Sequence, residues 1–478
     1  MKQLPLFDSY TGLIILAVYG IIVFSLTSYF GRGYNKTKTA FLLSNRDLTQ
    51  NQGSMSVAAA WLWAAGLFIS AQQAYVNGMV GLFWFCFGAI LTYWLFGWFA
   101  QQLRNKFENG FTFSSYMEEN YGKKVQNIYV FEMILLAICV FALNILAGGK
   151  IIELLTGLSY YITIPIMASI ALLYAFRGGL KASVITEIFK IGMVWTGVLI
   201  ILPMIIYAVG GFDTVVKGMA GIDGKGLHIF GTDKAWQVFT GFGIAAFLGQ
   251  MGAFFGDNAF YQRAFAVPKQ KVFKTFAIGS LIYGIMPISM GLIGFAAVGY
   301  GLEIPKEQVG MTNAIMIANL LPAWVSIFFV FVVFAGLVSV LDSQFSSIAS
   351  MAGHDLVKKF KSGSTDQEVI KYARFGMIGL ALAGMAIAFI PGITLLHIFL
   401  FFGTLRASVW IPSMVAIIKP KLFTSNGLFY GILISISVGI PLFVYGKLIK
   451  DNDIALIGTV VAIFGSFIIS YLWSIIKK

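Results

Sequence analysis

Apolar runs of about twenty residues recur along almost the whole of this chain, and nothing else in it constrains the fold as tightly. A helix needs about 20 mainly apolar residues to cross a hydrocarbon core about 30 Å thick. By that measure thirteen runs qualify. A leading span covers 9–30, and ten follow at 53–78, 81–103, 127–150, 159–177, 183–209, 236–260, 274–300, 323–350, 375–391 and 393–418. Two trailing spans cover 426–447 and 454–475. A spanning backbone must satisfy its own hydrogen bonds, and runs of this length do so as helices. The expected fold is therefore all-α and polytopic, with the lipid bilayer as solvent and partner. Charged residues make up only 11% of the chain, against about 25% in a soluble protein.

The net charge of +13 invites a nucleic-acid reading. Lys and Arg lie in short clusters between apolar runs, however, with no continuous basic patch, so no nucleic-acid partner is expected. Their distribution sets an orientation instead. One set of alternate loops and the C-terminal tail hold 23 Lys and Arg, from Arg32, Lys36 and Lys38 through Lys477 and Lys478, and the other side holds 8. The richer side is expected to be cytoplasmic. That puts the N-terminus outside and the C-terminus inside a plasma (inner) membrane crossed many times. Met1–Tyr10 has too few charges to open a signal peptide, so Ser9–Phe30 is expected to be a retained span. Cys86 and Cys139 both sit in apolar runs and offer neither a disulfide framework nor a metal knuckle.

The ten middle spans divide five and five at the Gly- and Asp-rich segment Gly210–Lys234. An odd number of spans makes the second five enter from the opposite face, which is the arithmetic of an inverted repeat. The expected organisation is a leading helix and loop over 1–50, a first five-helix repeat over 51–209 and a connecting segment over 210–233. A second, inverted repeat over 234–419 and two trailing helices over 420–478 complete it.

In such folds the first helix of each half is the place to look for a break that lines a cavity. In the first half that helix carries Gly66 and the polar trio Ser70, Gln72 and Gln73. Its counterpart reads GFGIAAFLGQMGAFFGDNAF, with Gly241, Gly243, Gly249, Gly252 and Gly256. Broken helices and glycine-mediated close packing both fit this pattern. Ionisable residues within or near the spans are Glu132, Glu187, Lys190, Asp257, Asp342 and Arg406, each costly in lipid unless paired or hydrated. Glu187 and Lys190 fit a local i,i+3 surface pair. Asp257 and Arg263 fit a solvated boundary, and Arg406 fits a snorkelling side chain. Asp342 resists such readings, because it shares a helix face with Ser339 in the hydroxyl-rich stretch GLVSVLDSQFSSIAS. Oxygens converging there suit a hard cation such as Na⁺, although serines also serve helix packing. Trp63, Gln72, Gln73 and Gln250 are the expected contacts of a small polar solute near the midplane.

Several stretches carry a family likeness. FLLSNRDLT, FRGGLKASVITEIFKI, GLVSVLDSQFSSIASMAGHDL and FGTLRASVWIP occur in order along the chain. With them it resembles the sodium/solute symporter family, whose members share a LeuT-like five-plus-five fold. WLWAAGLFISAQQAYVNGMVGLFWF and DNAFYQRAFA look nearest to the urea-permease-like branch. The resemblance implies Na⁺-coupled symport, with the ion held by Ala60, Trp63, Gly336 and Ser339, and a role for Glu187 at a second ion. One position departs from the pattern: Val340 stands where family members often carry a second hydroxyl. The implied consequence is weaker Na⁺ binding, compensation by Asp342, or coupling to H⁺. A sensor on a transporter scaffold is the competing class. No HExxH, GxSxG or Cys/His cluster supports an enzyme, no organic cofactor is expected, and oligomeric state is left open.

Overall fold

Each of the thirteen expected spans overlaps a helix in the computed structural model, which describes residues 5, 7–30, 33–357, 361, 363–393, 395–449 and 451–476. No strand occurs among them. Seven helices lead: α1 (Ser9–Phe30), α2 (Lys38–Leu43), α3 (Gln50–Ala60), α4 (Ala64–Lys106), α5 (Phe113–Tyr121), α6 (Lys123–Thr156) and α7 (Tyr160–Ala208). Next come α8 (Phe212–Lys217), α9 (Asp233–Val238), α10 (Ile244–Gly256), α11 (Asn258–Ala266), α12 (Val272–Gly299), α13 (Thr312–Leu320) and α14 (Ala323–Ser350). The chain closes with α15 (Asp366–Ala388), α16 (Leu395–Ile418), α17 (Ser425–Leu448), α18 (Asn452–Val460) and α19 (Ser466–Ile476). Of the basic residues that set the expected orientation, Lys2, Arg32, Lys358, Lys359, Lys450, Lys477 and Lys478 lie outside the described residues.

Ten helices among the described residues are long and apolar enough to cross a membrane. Two of them fold back on themselves. A straight helix of 49 residues, the length of α7, would be about 73 Å long, more than twice a hydrocarbon core. Gly179 breaks it, at φ 51° and ψ −135°, so that Lys190 comes within 3.3 Å of Tyr174. Gly78 does the same for α4, at φ 64° and ψ −150°. Only glycine holds such a conformation without strain. The connecting segment after α8 covers the Gly78 turn, with Val80 N–H donating to the Gly226 carbonyl at 3.0 Å and Ile222 N–H to that of Tyr75 at 3.0 Å.

Helix starts follow ordinary capping chemistry. Thr49 and Gln52 form a reciprocal capping box at the head of α3, and Thr365 with Glu368 does so for α15. α14 is the central element, with 78% of its most apolar window enclosed, whereas α1 is peripheral at 28%. Beyond the far end of α14, Asp355 accepts hydrogen bonds from Thr112, Ser114 and Ser115 at 2.9, 2.7 and 3.1 Å, tying the head of α5 to that end of the core. Outward faces carry Ile14, Leu199, Leu382 and Ile468 exposed, an apolar belt that water would penalise and lipid accepts.

Candidate functional site

The first helix break falls between α3 and α4, a few residues before Gly66. Trp61 leaves the helix at φ −104° and ψ 3°, and Trp63 is extended at φ −83° and ψ 134°. Gly66 has its own reason to be glycine: a Cβ there would lie 2.6 Å from the Trp63 indole nitrogen. Gly336 of α14 faces the break, because a Cβ on it would approach the Leu62 carbonyl oxygen to 3.3 Å. One turn further, Ser339 is fully buried, and its hydroxyl has no hydrogen-bond partner. Ala60 and Trp63 line a cavity at this point, as does Val340.

Beside the break lies a buried network of four charges. Glu187 and Lys190, expected as a local surface pair, are both fully buried and do not pair with each other. The fold at Gly179 turns this face of α7 into the core, towards α14 and α11. Lys190 makes an ion pair with Asp342, whose Oδ2 also accepts the Thr186 hydroxyl at 2.8 Å. Glu187 pairs with Arg263 of α11 at 2.5 Å. Its Oε1 also accepts Ser183 at 3.1 Å and Ser343 at 2.8 Å, and Ser56 of α3 donates to Oε2. Arg263, expected at a solvated boundary, is 0% exposed. It donates to Ser56 and Ser343, both at 2.8 Å, and to the Ala259 carbonyl at 2.9 Å. Pairing and near-complete hydrogen bonding are what make four charges tolerable at this depth. One carboxylate oxygen of the four, Asp342 Oδ1, has no partner.

The cavity has a volume of about 220 Å³ and opens beside the first break. Trp61, Trp63, Phe85 and Phe242 wall it, and Asn144, Gln250, Asp257, Gln344 and Arg406 supply its polar groups. Gln344 Nε2 donates to Asp257 Oδ2 at 2.7 Å. A carboxylate accepts only, so this bond fixes which end of the amide is which. The Gln344 carbonyl is left without a partner, as is that of Gln250. Asp257 also makes the second helix break: it is extended at φ −101° and ψ 114°, and its Oδ1 caps α11 through Ala259 N–H at 2.8 Å.

The glycines of α10 therefore serve packing, and the break comes after them. A Cβ on Gly249 would lie 3.1 Å from Arg406 Nη2, and on Gly252 or Gly256 3.2 Å from the Arg406 stem. Positions i, i+3 and i+7 form one helix face, and here that face is a groove for the Arg406 side chain. Arg406 is accordingly 5% exposed, in a cavity wall where a snorkelling side chain was expected. The remaining intramembrane carboxyl, Glu132, accepts the Ser408 hydroxyl of the same helix as Arg406 at 2.7 Å.

Of the expected solute contacts, Trp63 and Gln250 line the cavity. Gln72 and Gln73 do not; they lie further along α4, and Gln73 accepts from Asn77 Nδ2 at 2.8 Å. Asn144, Asp257, Gln344 and Arg406 were not among the expected contacts. Two of them, Asn144 and Arg406, are polar residues in apolar runs, a signal the sequence did carry. Among the described residues no group of three or more His, Cys, Asp or Glu could hold a metal ion.

Known proteins are similar to this chain. The structure of a Na⁺-coupled sialic acid symporter in its substrate-bound outward-open state superposes with a TM-score of 0.78 and 17% identity, covering 97% of each chain. The rice (Oryza sativa subsp. japonica) urea-proton symporter DUR3 is 20% identical over 81% of this chain and 58% of its own length. The human high affinity choline transporter 1 is 25% identical over 73% of this chain and 61% of its own length. The chain thus spans about three-fifths of the length of these two relatives. Residues 41–435 match the sodium:solute symporter family, and the chain belongs to that family.

Proposed function

We propose that this chain is a secondary active transporter that moves a small polar solute together with Na⁺ by alternating access. The observation that carries the reading is the Ser339 hydroxyl, buried without a partner one turn from the point where Gly336 meets the broken α3–α4 junction. A break leaves backbone carbonyls with spare acceptor capacity (that of Trp63 accepts Gly66 N–H at 3.0 Å and retains a second lone pair), and carbonyl plus hydroxyl oxygens are the ligands a hard cation takes. Ala60, Trp63, Gly336 and Ser339 are the proposed Na⁺ ligands, and the open Oδ1 of Asp342 makes it a further candidate in place of the hydroxyl that Val340 lacks. The travelling ion is cargo here.

The solute is proposed to occupy the neighbouring cavity against Trp63, Trp61 and Gln250. The unpartnered Gln344 carbonyl favours a solute with N–H groups, Gln250 can present either end of its amide, and Arg406 favours a solute that also carries an acceptor. Urea and similar compact planar solutes have both. A second reading, H⁺ in place of Na⁺, is supported by the apolar Val340 and by the name of the rice urea-proton symporter. The proposed setting is the plasma membrane, N-terminus outside and C-terminus in the cytoplasm, with inverted repeats over 51–209 and 234–419 joined by 210–233.

Uptake into proteoliposomes under imposed Na⁺ or pH gradients tests the coupling. Accumulation that follows the Na⁺ gradient is expected. Uptake unchanged when Na⁺ is removed from both sides removes the sodium reading.

A further inference from the structure

Two carboxylates and four hydroxyls converge where α3, α7, α11 and α14 meet: Glu187 and Asp342 with Ser56, Ser183, Thr186 and Ser343. Such an oxygen set is the donor chemistry of a hard-cation site. It is already occupied by cations that belong to the chain. Arg263 takes Glu187 Oε1 together with Ser56 and Ser343, and Lys190 takes Asp342 Oδ2. The two positive charges balance the two negative ones inside the bundle, and all four side chains are fully enclosed. A further cation entering this set would find a neutral cluster in which three of the four carboxylate oxygens are already engaged.

We propose that Lys190 and Arg263 are the resident cations of a second ion site, so that one travelling cation, not two, accompanies each solute. The proposal rests on the cation-coupled reading above and adds its stoichiometry. Asp342 is the hinge of the argument, because its two oxygens differ. Oδ2 is held by the tethered ammonium, while Oδ1, like the Ser339 hydroxyl three residues earlier on the same face, has no partner. One carboxylate therefore stands between a cation that cannot leave and the place proposed for the one that does. The ammonium also weakens Na⁺ binding, since two positive charges share a single negative one at low dielectric.

The full chain in proteoliposomes provides the test. Clamping the Na⁺ gradient against the solute gradient until net flux stops should give one Na⁺ per solute, and initial rates should depend on Na⁺ with a Hill coefficient near one. In Lys190→Met, Asp342 loses its ammonium, and Na⁺ becomes its available counter-ion. Na⁺ should then bind on the order of tenfold more tightly, and raise thermal stability more than in the wild type, relative to N-methyl-D-glucamine at equal ionic strength. In Lys190→Ala, added methylammonium should restore stability in the absence of Na⁺. Lys190→Met/Asp342→Asn, which removes both charges, should fold without any added cation demand and controls for simple misfolding. Two Na⁺ per solute in the wild type, or a Lys190→Met protein whose Na⁺ response matches the wild type, overturns the proposal. Failure of the sodium reading is distinct: Na⁺ would then be without effect on wild-type uptake, while methylammonium rescue of Lys190→Ala would still report the resident cation.

Discussion

The pair between Glu187 and Arg263 should behave as a unit whose halves are costly to remove singly and cheap to remove together. At their 2.5 Å separation, Coulomb attraction at an effective dielectric near 20 is about 7 kcal/mol before desolvation. Desolvation returns several kcal/mol per ion, so the net value of the pair against an apolar replacement is near zero. A single removal is different. Arg263→Met deletes the donor to Glu187, Ser56, Ser343 and the Ala259 carbonyl, leaving a buried carboxylate with only hydroxyl partners. A loss of about 3–5 kcal/mol is expected. Glu187→Leu leaves the guanidinium without its counter-charge and should cost a similar amount. The double variant should recover most of either loss, giving a coupling energy of about 3 kcal/mol or more. Reversible unfolding in mixed micelles at increasing SDS fraction measures all four corners of the cycle. Additive losses, with coupling below about 0.5 kcal/mol, would refute the pairing and with it the account of how four charges are accommodated in the core.

Other expectations follow from single contacts. Ser339→Ala should leave folding unchanged, since the hydroxyl bonds to nothing in the protein, and should raise the Na⁺ concentration for half-maximal uptake about tenfold, equivalent to roughly 1.4 kcal/mol. Gly252→Ala places a methyl 3.2 Å from the Arg406 stem; an overpacking cost of about 1–3 kcal/mol and a raised KM for solute should appear together in stability and uptake assays. Gln344→Leu removes an open carbonyl of the cavity together with the bond to Asp257, and should raise KM for solute, read from uptake at saturating Na⁺. Gly78→Ala forces a side chain into a glycine-only conformation, 2.7 Å from the Ala220 carbonyl carbon, and should cost about 1–3 kcal/mol, read as a lowered midpoint in the same micelle titration.

Helix positions were legible in the sequence because lipid imposes one length on every span. The leading span was expected at Ser9–Phe30, and α1 has those bounds. Partners were not legible, because they depend on which faces meet. The spacing of Glu187 and Lys190 is that of an i,i+3 pair, yet each finds its counter-charge on a different helix, at Arg263 and Asp342. The glycines of α10 illustrate the same limit. Their spacing is equally that of a weak helix and of a packing groove, and what decides between the two is Arg406, 150 residues or more away in the chain. The break itself went to Asp257, a residue that supplies its own helix cap and so can end one helix and begin the next.

Coupling between the two proposed sites has a physical carrier in α14. At about 100° per residue, Asp342, Ser339, Ser343, Gly336, Val340 and Gln344 fall in that order around one arc of about 200°. One edge of the arc meets the tethered ammonium, its middle meets the broken α3–α4 junction, and its other edge meets the cavity and the Asp257 break. A helix this enclosed cannot turn one edge without turning the other. Ordering of the first break around a cation would therefore fix the face on which Gln344 presents its carbonyl. A coupling free energy of about 1–3 kcal/mol is the usual scale for such a link, and by reciprocity the solute should tighten Na⁺ binding by the same factor. Equilibrium Na⁺ binding with and without saturating solute measures that factor. The Asp257–Gln344 hydrogen bond is the contact through which α14 would carry it to the second break. Asp257→Ala should therefore reduce the factor towards one even where Na⁺ and solute each still bind. A factor unchanged in that variant would mean that the two sites communicate by a route other than α14 and the second break.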